Sequence, residues 1–129
     1  MNAEELKRRT KQFALRILKL GAALPNTIEG KAIRGQLVRA GTSEGANYRA
    51  ACRGRSTAEF IAKIGVVEEE SDESAFWLEV IIEGAFLKRE RVEPLLEEAN
   101  QLTRIMAKSR ISASRRLRTN RQSAIVIRQ

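Results

Sequence analysis

The chain has 129 residues, 43% of them hydrophobic, with 24 basic and 16 acidic side chains and a formal net charge of +8. This length and composition fit one domain with a single packed core. The chain has no histidine and one cysteine, Cys52, so histidine catalysis, histidine-ligated metal sites, thiolate clusters and internal disulfides are excluded.

The N-terminal region is charged rather than apolar, with two glutamates among residues 1–5. The longest segment without a charged residue is 20–28, nine residues long, whereas a membrane helix needs about 20. We therefore expect no signal peptide and no membrane partner. Together with the unpaired cysteine, this indicates a cytoplasmic protein.

The first predicted helix spans residues 3–24. One apolar stripe runs along it: Leu6, Phe13, Ile17, Leu20 and Leu24. Such spacings are typical of one buried helix face. Pro25 and Asn26 end this helix, and Thr27 is placed to cap a second helix over residues 27–53.

A patch of small residues interrupts the second predicted helix, with Gly41 and Gly45 at its centre. Each glycine inside a helix costs about 1 kcal/mol relative to alanine, so close approach of another helix is needed to offset the pair. A loop is the alternative, but the apolar period stays in phase on both sides. We interpret the Gly-x-x-x-Gly spacing as packing inside a bundle, because the segment is too short for a membrane dimer.

Two further helices follow. The third, predicted over residues 56–87, opens on the capping-box spacing Ser56-x-x-Glu59 and carries a strongly acidic outer side. The fourth is predicted over residues 91–110 or slightly longer, with Pro94 tolerated in its first turn. Four helices with short connections predict an all-α, antiparallel, up-down-up-down four-helix bundle over residues 1–110. Residues 111–129 are predicted to form a basic, mobile C-terminal tail.

Acidic residues give no strong indication of catalysis. Glu44 and residues 68–70 form a cation site in one interpretation, but an acidic surface that faces solvent or an interface is the simpler one. The chain also lacks the glycine-rich motifs that bind nucleotides. We therefore expect no enzyme, no metal and no cofactor.

The basic residues are the positive signal. Residues 104–129 hold eight basic residues and no acid. A basic surface binds nucleic-acid phosphates, largely without regard to sequence. Pairing with acidic neighbours is an equal alternative for the first helices. The candidate nucleic-acid contacts are Lys7, Arg8, Arg9, Lys11 and Arg16 in the bundle and Arg115, Arg116, Arg118 and Arg121 in the tail.

The second and third helices resemble a known family. The segment Gln36–Ala51 contains Thr-Ser-Glu-Gly-Ala-Asn, and Phe60 and Trp77-Leu78 follow at matching positions. This pattern resembles the four-helix bundle proteins that are also called 23S ribosomal RNA intervening-sequence proteins. The resemblance covers about residues 5–110. The resemblance implies that the patch of small residues in the second helix is a helix-packing signature made of Gly41, Ser43, Gly45, Ala46 and Asn47.

The resemblance implies a bundle that assembles into a homopentameric ring. It also implies a relation to the accessory variability determinants of diversity-generating retroelements, which bind nucleic acid and a reverse transcriptase. The leading hypothesis is a non-enzymatic, oligomeric protein that binds RNA or DNA, or acts as a scaffold, through basic surfaces. The alternative is a protein-interaction module whose tail, with its apolar run Ile125-Val126-Ile127, docks a partner such as a reverse transcriptase.

Overall fold

The computed structural model describes the backbone of residues 1–128 and the side chains of residues 1–125. Four helices follow one another: α1 spans Ala3–Ala22, α2 Ile28–Cys52, α3 Thr57–Glu83 and α4 Arg89–Arg128. No strand occurs within the described part of the chain. The predicted all-α, up-down-up-down four-helix bundle is confirmed.

Short polar side chains start the first three helices. Asn2 Oδ1 accepts a hydrogen bond from the Glu5 N–H at 2.9 Å, and Thr27 Oγ1 accepts one from the N–H of residue 30 at 3.0 Å. Ser56 Oγ accepts from the Glu59 N–H at 3.1 Å. These bonds satisfy amide groups that have no partner inside their own helix. They explain why the chain enters each helix at the residue where the sequence pattern predicts it.

The third helix ends earlier than the predicted residue 87. Ala85 adopts the left-handed conformation, with φ at 58°. Its N–H donates to the Ile82 carbonyl at 3.0 Å, and the Phe86 N–H donates to the Ile81 carbonyl, also at 3.0 Å. This pair of bonds closes a Schellman motif and turns the chain away from the helix axis.

The fourth helix is much longer than predicted and runs 40 residues to Arg128. Neither proline nor glycine occurs after Pro94, so no backbone breaker stops it. Pro94 lies in the second turn, because the helix begins at Arg89. The buried face of α4 continues to Ala113, which is fully buried. The predicted mobility of residues 111–129 stays a prediction.

Each helix packs against its two neighbours, and the backbones of the diagonal pairs stay further apart within the described residues. The most extensive contact joins α3 to α4, and the least extensive joins α1 to α4. The core is mainly aliphatic and contains two buried aromatic rings, Phe13 of α1 and Tyr48 of α2, while Ile17, Ile64 and Leu102 are among its fully buried side chains. Burial of these chains supplies most of the driving force for the fold.

Candidate nucleic-acid interface

A groove between α1 and α2 brings together basic side chains from both helices. Lys7, Arg8 and Lys11 line one wall, from the first half of α1. Arg49 and Arg53, one helical turn apart at the end of α2, line the other. The two helices are antiparallel, so the start of α1 lies beside the end of α2 and these five residues meet. The groove has a volume of about 440 Å³.

Little acidic charge compensates this groove. Glu4 is the acid in its lining, and its carboxylate accepts a hydrogen bond from Lys7 Nζ at 3.1 Å. This pair is exposed, so it is worth little. The other four basic side chains form no ion pair within the described residues. Three of the five predicted bundle contacts therefore share one uncompensated surface, together with Arg49 and Arg53, which the sequence prediction did not include.

Arg9 lies on a different side of α1, facing α4. Its Nε and Nη2 atoms donate to the two carboxylate oxygens of Glu98, both at 2.7 Å. Its Nη2 atom also donates to Gln101 Oε1 at 2.6 Å. The hydrogen bond that Arg9 donates to Glu98 raises the pKa of the Arg9 guanidinium. Arg9 thus ties α1 to α4, and its charge is largely neutralised by Glu98.

Arg16 also lies apart from the groove. It lines a separate cleft between α1 and α4, with Lys19 and Arg91. The five predicted bundle contacts therefore divide among three places on α1. Three of them line the groove, Arg9 forms an ion pair, and Arg16 lies in the second cleft.

The predicted contacts near the end of α4 are all exposed, but they do not share one face. Arg115 and Arg118 continue an outward stripe. That stripe, at spacings of 4, 3, 4 and 3, consists of Arg104, Lys108, Ile111, Arg115 and Arg118. Arg116 and Arg121 point to other sides of the helix. Because Arg9 of α1 pairs with Glu98 of the antiparallel α4, the part of α4 after about residue 110 extends beyond the level where α1 begins.

Acidic residues of α3 neutralise basic residues on both neighbouring helices. Glu68 accepts a hydrogen bond from Arg110 Nε of α4 at 2.7 Å, and Glu73 pairs with Arg39 of α2. The alternative in which basic side chains pair with α3 therefore holds for Arg39 and Arg110. It does not hold for the groove.

The packing signature connects α2 to both of its neighbours. A Cβ atom on Gly41 would lie 2.7 Å from Ile17 of α1, so only glycine fits there without a shift. Asn47 Nδ2 donates to Glu70 Oε1 of α3 at 2.7 Å. Gly45 faces Thr10 of α1 at ordinary contact distance. The predicted close approach of another helix is thus present at both glycines.

Two residues of the signature take no part in this packing. Ser43 Oγ donates to the Arg39 carbonyl of its own helix at 2.6 Å. Ala46 is exposed on the outer side of α2. Within the signature, Asn47 therefore makes a cross-helix hydrogen bond and Ser43 does not.

Glu44 is fully buried in the core, although the simpler sequence interpretation places it on an acidic surface. That interpretation is wrong for this residue. Ser71 of α3 hydrogen-bonds one carboxyl oxygen, Oε2, and the other, Oε1, has no hydrogen-bond partner. Burial, reinforced by the nearby carboxylates of Glu70 and Glu98, raises the pKa of Glu44 from 4.5 to about 8, although the Ser71 bond opposes the shift. The side chain is therefore mostly protonated at neutral pH.

Two kinds of site are not found within residues 1–128. None of the helices has a stretch long and apolar enough to cross a bilayer. No three aspartate, glutamate, cysteine or histidine side chains approach one another closely enough to hold a metal ion.

These features define the class of protein: an antiparallel helical bundle with a glycine-packed second helix, a buried carboxyl group and an uncompensated basic groove. Residues 4–108 match the family model of the 23S rRNA-intervening sequence proteins, and the chain belongs to this family. A crystal structure of a protein with unknown function from the S23 ribosomal protein family of Bacteroides thetaiotaomicron is similar to it. That structure has 31% sequence identity and a TM-score of 0.75, and the match covers 80% of this chain and 95% of the other. No curated protein matches the chain at a significant level.

Proposed function

We propose that this chain is a non-enzymatic, oligomeric protein that binds RNA or DNA through the groove between α1 and α2. The observation that carries the proposal is the groove itself, where five basic side chains from two helices are opposed by one exposed acid. Phosphates displace counterions from such a surface, and this release gives affinity that falls steeply with salt.

The residues that line the groove also indicate which part of a nucleic acid it contacts. The lining contains charged side chains and Gln12 but no aromatic ring. Base stacking on aromatic side chains supplies much of the affinity of single-strand binders. Without it, the contacts are to phosphates and carry little sequence information. The proposed binding is therefore weakly dependent on sequence.

Charge reversal in the groove tests this proposal. A Lys11→Glu and Arg53→Glu double variant should lose about 10-fold or more of its affinity for RNA and DNA at low salt, and its salt slope should shrink. The matched control is Lys31→Glu with Lys88→Glu, which makes the same change of charge at exposed positions outside the groove. Fluorescence anisotropy at several salt concentrations measures both. Absence of binding at about 50 mM salt, or equal losses in both double variants, would contradict the proposal.

The oligomeric part of the proposal rests on unpartnered faces of α1 and α3. Leu15 and Leu18 of α1 are 54% and 47% exposed, and Phe76 of α3 is 54% exposed. Lys11 lies one turn from Leu15, and Asp72 lies one turn from Phe76. The charged side chains within one turn of Leu15 are all basic, and those within one turn of Phe76 are all acidic, so the two faces carry opposite charges.

These two faces lie at matching heights along the bundle. Gly45 of α2 packs on Thr10 of α1, and the adjacent Glu44 bonds Ser71 of α3, so Thr10 and Ser71 mark one level. Both helices run in the same direction from that level. Rotation about a ring axis parallel to the bundle would therefore bring the α1 face of one copy against the α3 face of the next. Unlike surfaces that meet in this way form a closed ring when the rotation between successive copies closes. The number five comes from the family resemblance.

Light scattering after size exclusion tests the assembly. The wild-type chain should elute as an oligomer, and Leu15→Glu should shift it toward the monomer while the helical content is retained. Ile28→Glu, at a position 86% exposed on α2, is the control. A wild-type monomer at both low and high salt would overturn the oligomeric proposal. In an oligomer, repeated grooves would add their weak contacts by avidity.

A protein-interaction module is the second candidate, and the exposed apolar residues of α4 favour it. Ile111 is 41% exposed and Ile125 is 57% exposed, both near arginines. The side chains of Val126 and Ile127, which complete the predicted apolar run, lie outside the described residues. Deletion of residues 112–129 distinguishes the candidates: loss of nucleic-acid affinity supports the first, and loss of a co-purified protein, such as a reverse transcriptase, supports the second.

A further inference from the structure

The seam between α1 and α4 is closed at one end and open at the other. Arg9, Glu98 and Gln101 close it by hydrogen bonds. About two turns further along α1, the seam opens into a cleft of about 180 Å³. Leu20 and Leu95, both nearly buried, line this cleft on its inner side. Because α1 and α4 share the least extensive contact of the bundle, the cleft lies where the fold is most weakly held.

Three cations surround the opening of this cleft. Arg16 and Lys19 come from α1, and Arg91 comes from the first turn of α4. The lining contains no acid. None of the three forms a side-chain hydrogen bond or an ion pair within the described residues. The start of α4 adds the positive end of its helix dipole to the same place.

This arrangement places like charges on both sides of a weak seam. A polyvalent anion between the two helices would remove the repulsion and would hold α1 against α4. Two guanidinium groups match the oxygens of a phosphate by paired hydrogen bonds, and the ammonium group of Lys19 adds a third donor.

We propose that the cleft formed by Arg16, Lys19 and Arg91 binds a terminal phosphate or a diphosphate group, which clamps α1 to α4. The site is separate from the groove between α1 and α2, which is more than twice as large and lies on the opposite flank of α1. The phosphate has two possible sources: a free small anion, or the 5′-terminal phosphate of a nucleic-acid strand.

Calorimetric titration with pyrophosphate at constant ionic strength tests the site. The wild-type chain should bind one pyrophosphate per chain, and pyrophosphate should raise its melting temperature. Arg91→Ala should weaken binding about 10-fold or more, since hydrogen bonds to charged groups are among the stronger ones. Arg89→Ala is the matched control: it removes an exposed arginine two residues away, outside the lining, and should change affinity less than about 2-fold.

Two oligonucleotides of one sequence distinguish the sources. If the strand end is the ligand, the 5′-phosphorylated form should bind more tightly than the 5′-hydroxyl form, and Arg91→Ala should remove this difference. Equal binding of the two forms, with saturable pyrophosphate binding, would assign the site to a free anion. Absence of saturable pyrophosphate binding, or equal losses in Arg91→Ala and Arg89→Ala, would overturn the proposal. The pyrophosphate titration does not depend on the groove between α1 and α2. Its result therefore stands whether or not the Lys11→Glu and Arg53→Glu double variant loses affinity for RNA and DNA.

Discussion

The buried Glu44 makes the stability of the bundle depend on pH in a direction opposite to that of most carboxylates. Its pKa is raised from 4.5 to about 8, so the folded chain keeps a proton that the unfolded chain releases in this interval. Folding stability is therefore complete below pH 4.5, falls as the pH rises toward 8, and levels off above it. The difference between the two pKa values corresponds to about 5 kcal/mol. This is the expected upper limit of the loss.

Glu44→Gln isolates this effect, because glutamine has nearly the same shape and does not ionise. Urea unfolding followed by circular dichroism should show similar stabilities for the variant and the wild type near pH 5. At pH 9 the variant should be more stable by several kcal/mol, at most about 5 kcal/mol. Glu69→Gln, at an exposed position of α3, is the control and should follow the wild type. A constant difference between Glu44→Gln and the wild type, within about 0.5 kcal/mol from pH 5 to 9, would refute the reasoning.

Three further predictions concern the backbone and the connections between helices. Ala85→Gly should stabilise the chain by about 1 kcal/mol in urea unfolding, because glycine adopts the left-handed conformation without strain; a loss of stability would contradict this. Gly41→Ala should lower the free energy of unfolding by about 1–3 kcal/mol, because the added methyl group would clash with Ile17. Gly35→Ala, where nothing lies within 4 Å of the added Cβ atom, should raise it by about 1 kcal/mol. Equal effects of the two variants would argue against close packing at Gly41. Arg34→Ala should lower the free energy of unfolding by about 1.5–3 kcal/mol, since its guanidinium donates to the carbonyls of Gly21 at the end of α1 and Leu24 in the following connection, and Arg34→Lys should recover only part of this loss.

The helix pattern could be predicted wherever local chemistry decides it. Ser56 and Thr27 cap helices because their side chains satisfy nearby amide groups, and this depends on a few consecutive residues. The ends of α3 and α4 were not predicted correctly from such short local patterns. Ala85 takes a conformation that alanine disfavours, so composition alone predicts a longer third helix. The apolar period of α4 fades after residue 110, yet the helix continues because nothing in its sequence breaks the backbone.

The sequence pattern indicated that Glu44 points inward, but its charge favoured the interpretation of Glu44 as a surface residue. The residue follows Gly41 by three positions and precedes Tyr48 by four, so it lies on the apolar stripe of α2. Ser71 likewise occupies a stripe position of α3. Which inward polar residues pair with each other depends on the relative heights of two helices, and a single sequence does not define these heights. The period therefore predicts that both side chains point inward, whereas the bond between them becomes visible only in the packed bundle.

The basic residues of α1 lie on different sides of the bundle, and this division also depends on how the helices pack, which a single sequence does not define. Lys11 and Arg16 are five residues apart, which is about 140° around a helix, so one dense charge run necessarily faces two directions. The helix that packs on each side of α1 then determines whether the basic residues there line an open surface or are neutralised by acids. Beside α2, two more arginines join Lys11 in an open groove; beside α4, Arg9 meets Glu98 and is neutralised. Net charge therefore indicates an anionic partner, but only the packing of α1 between its two neighbours separates a surface for a phosphate backbone from a cleft for a single phosphate group.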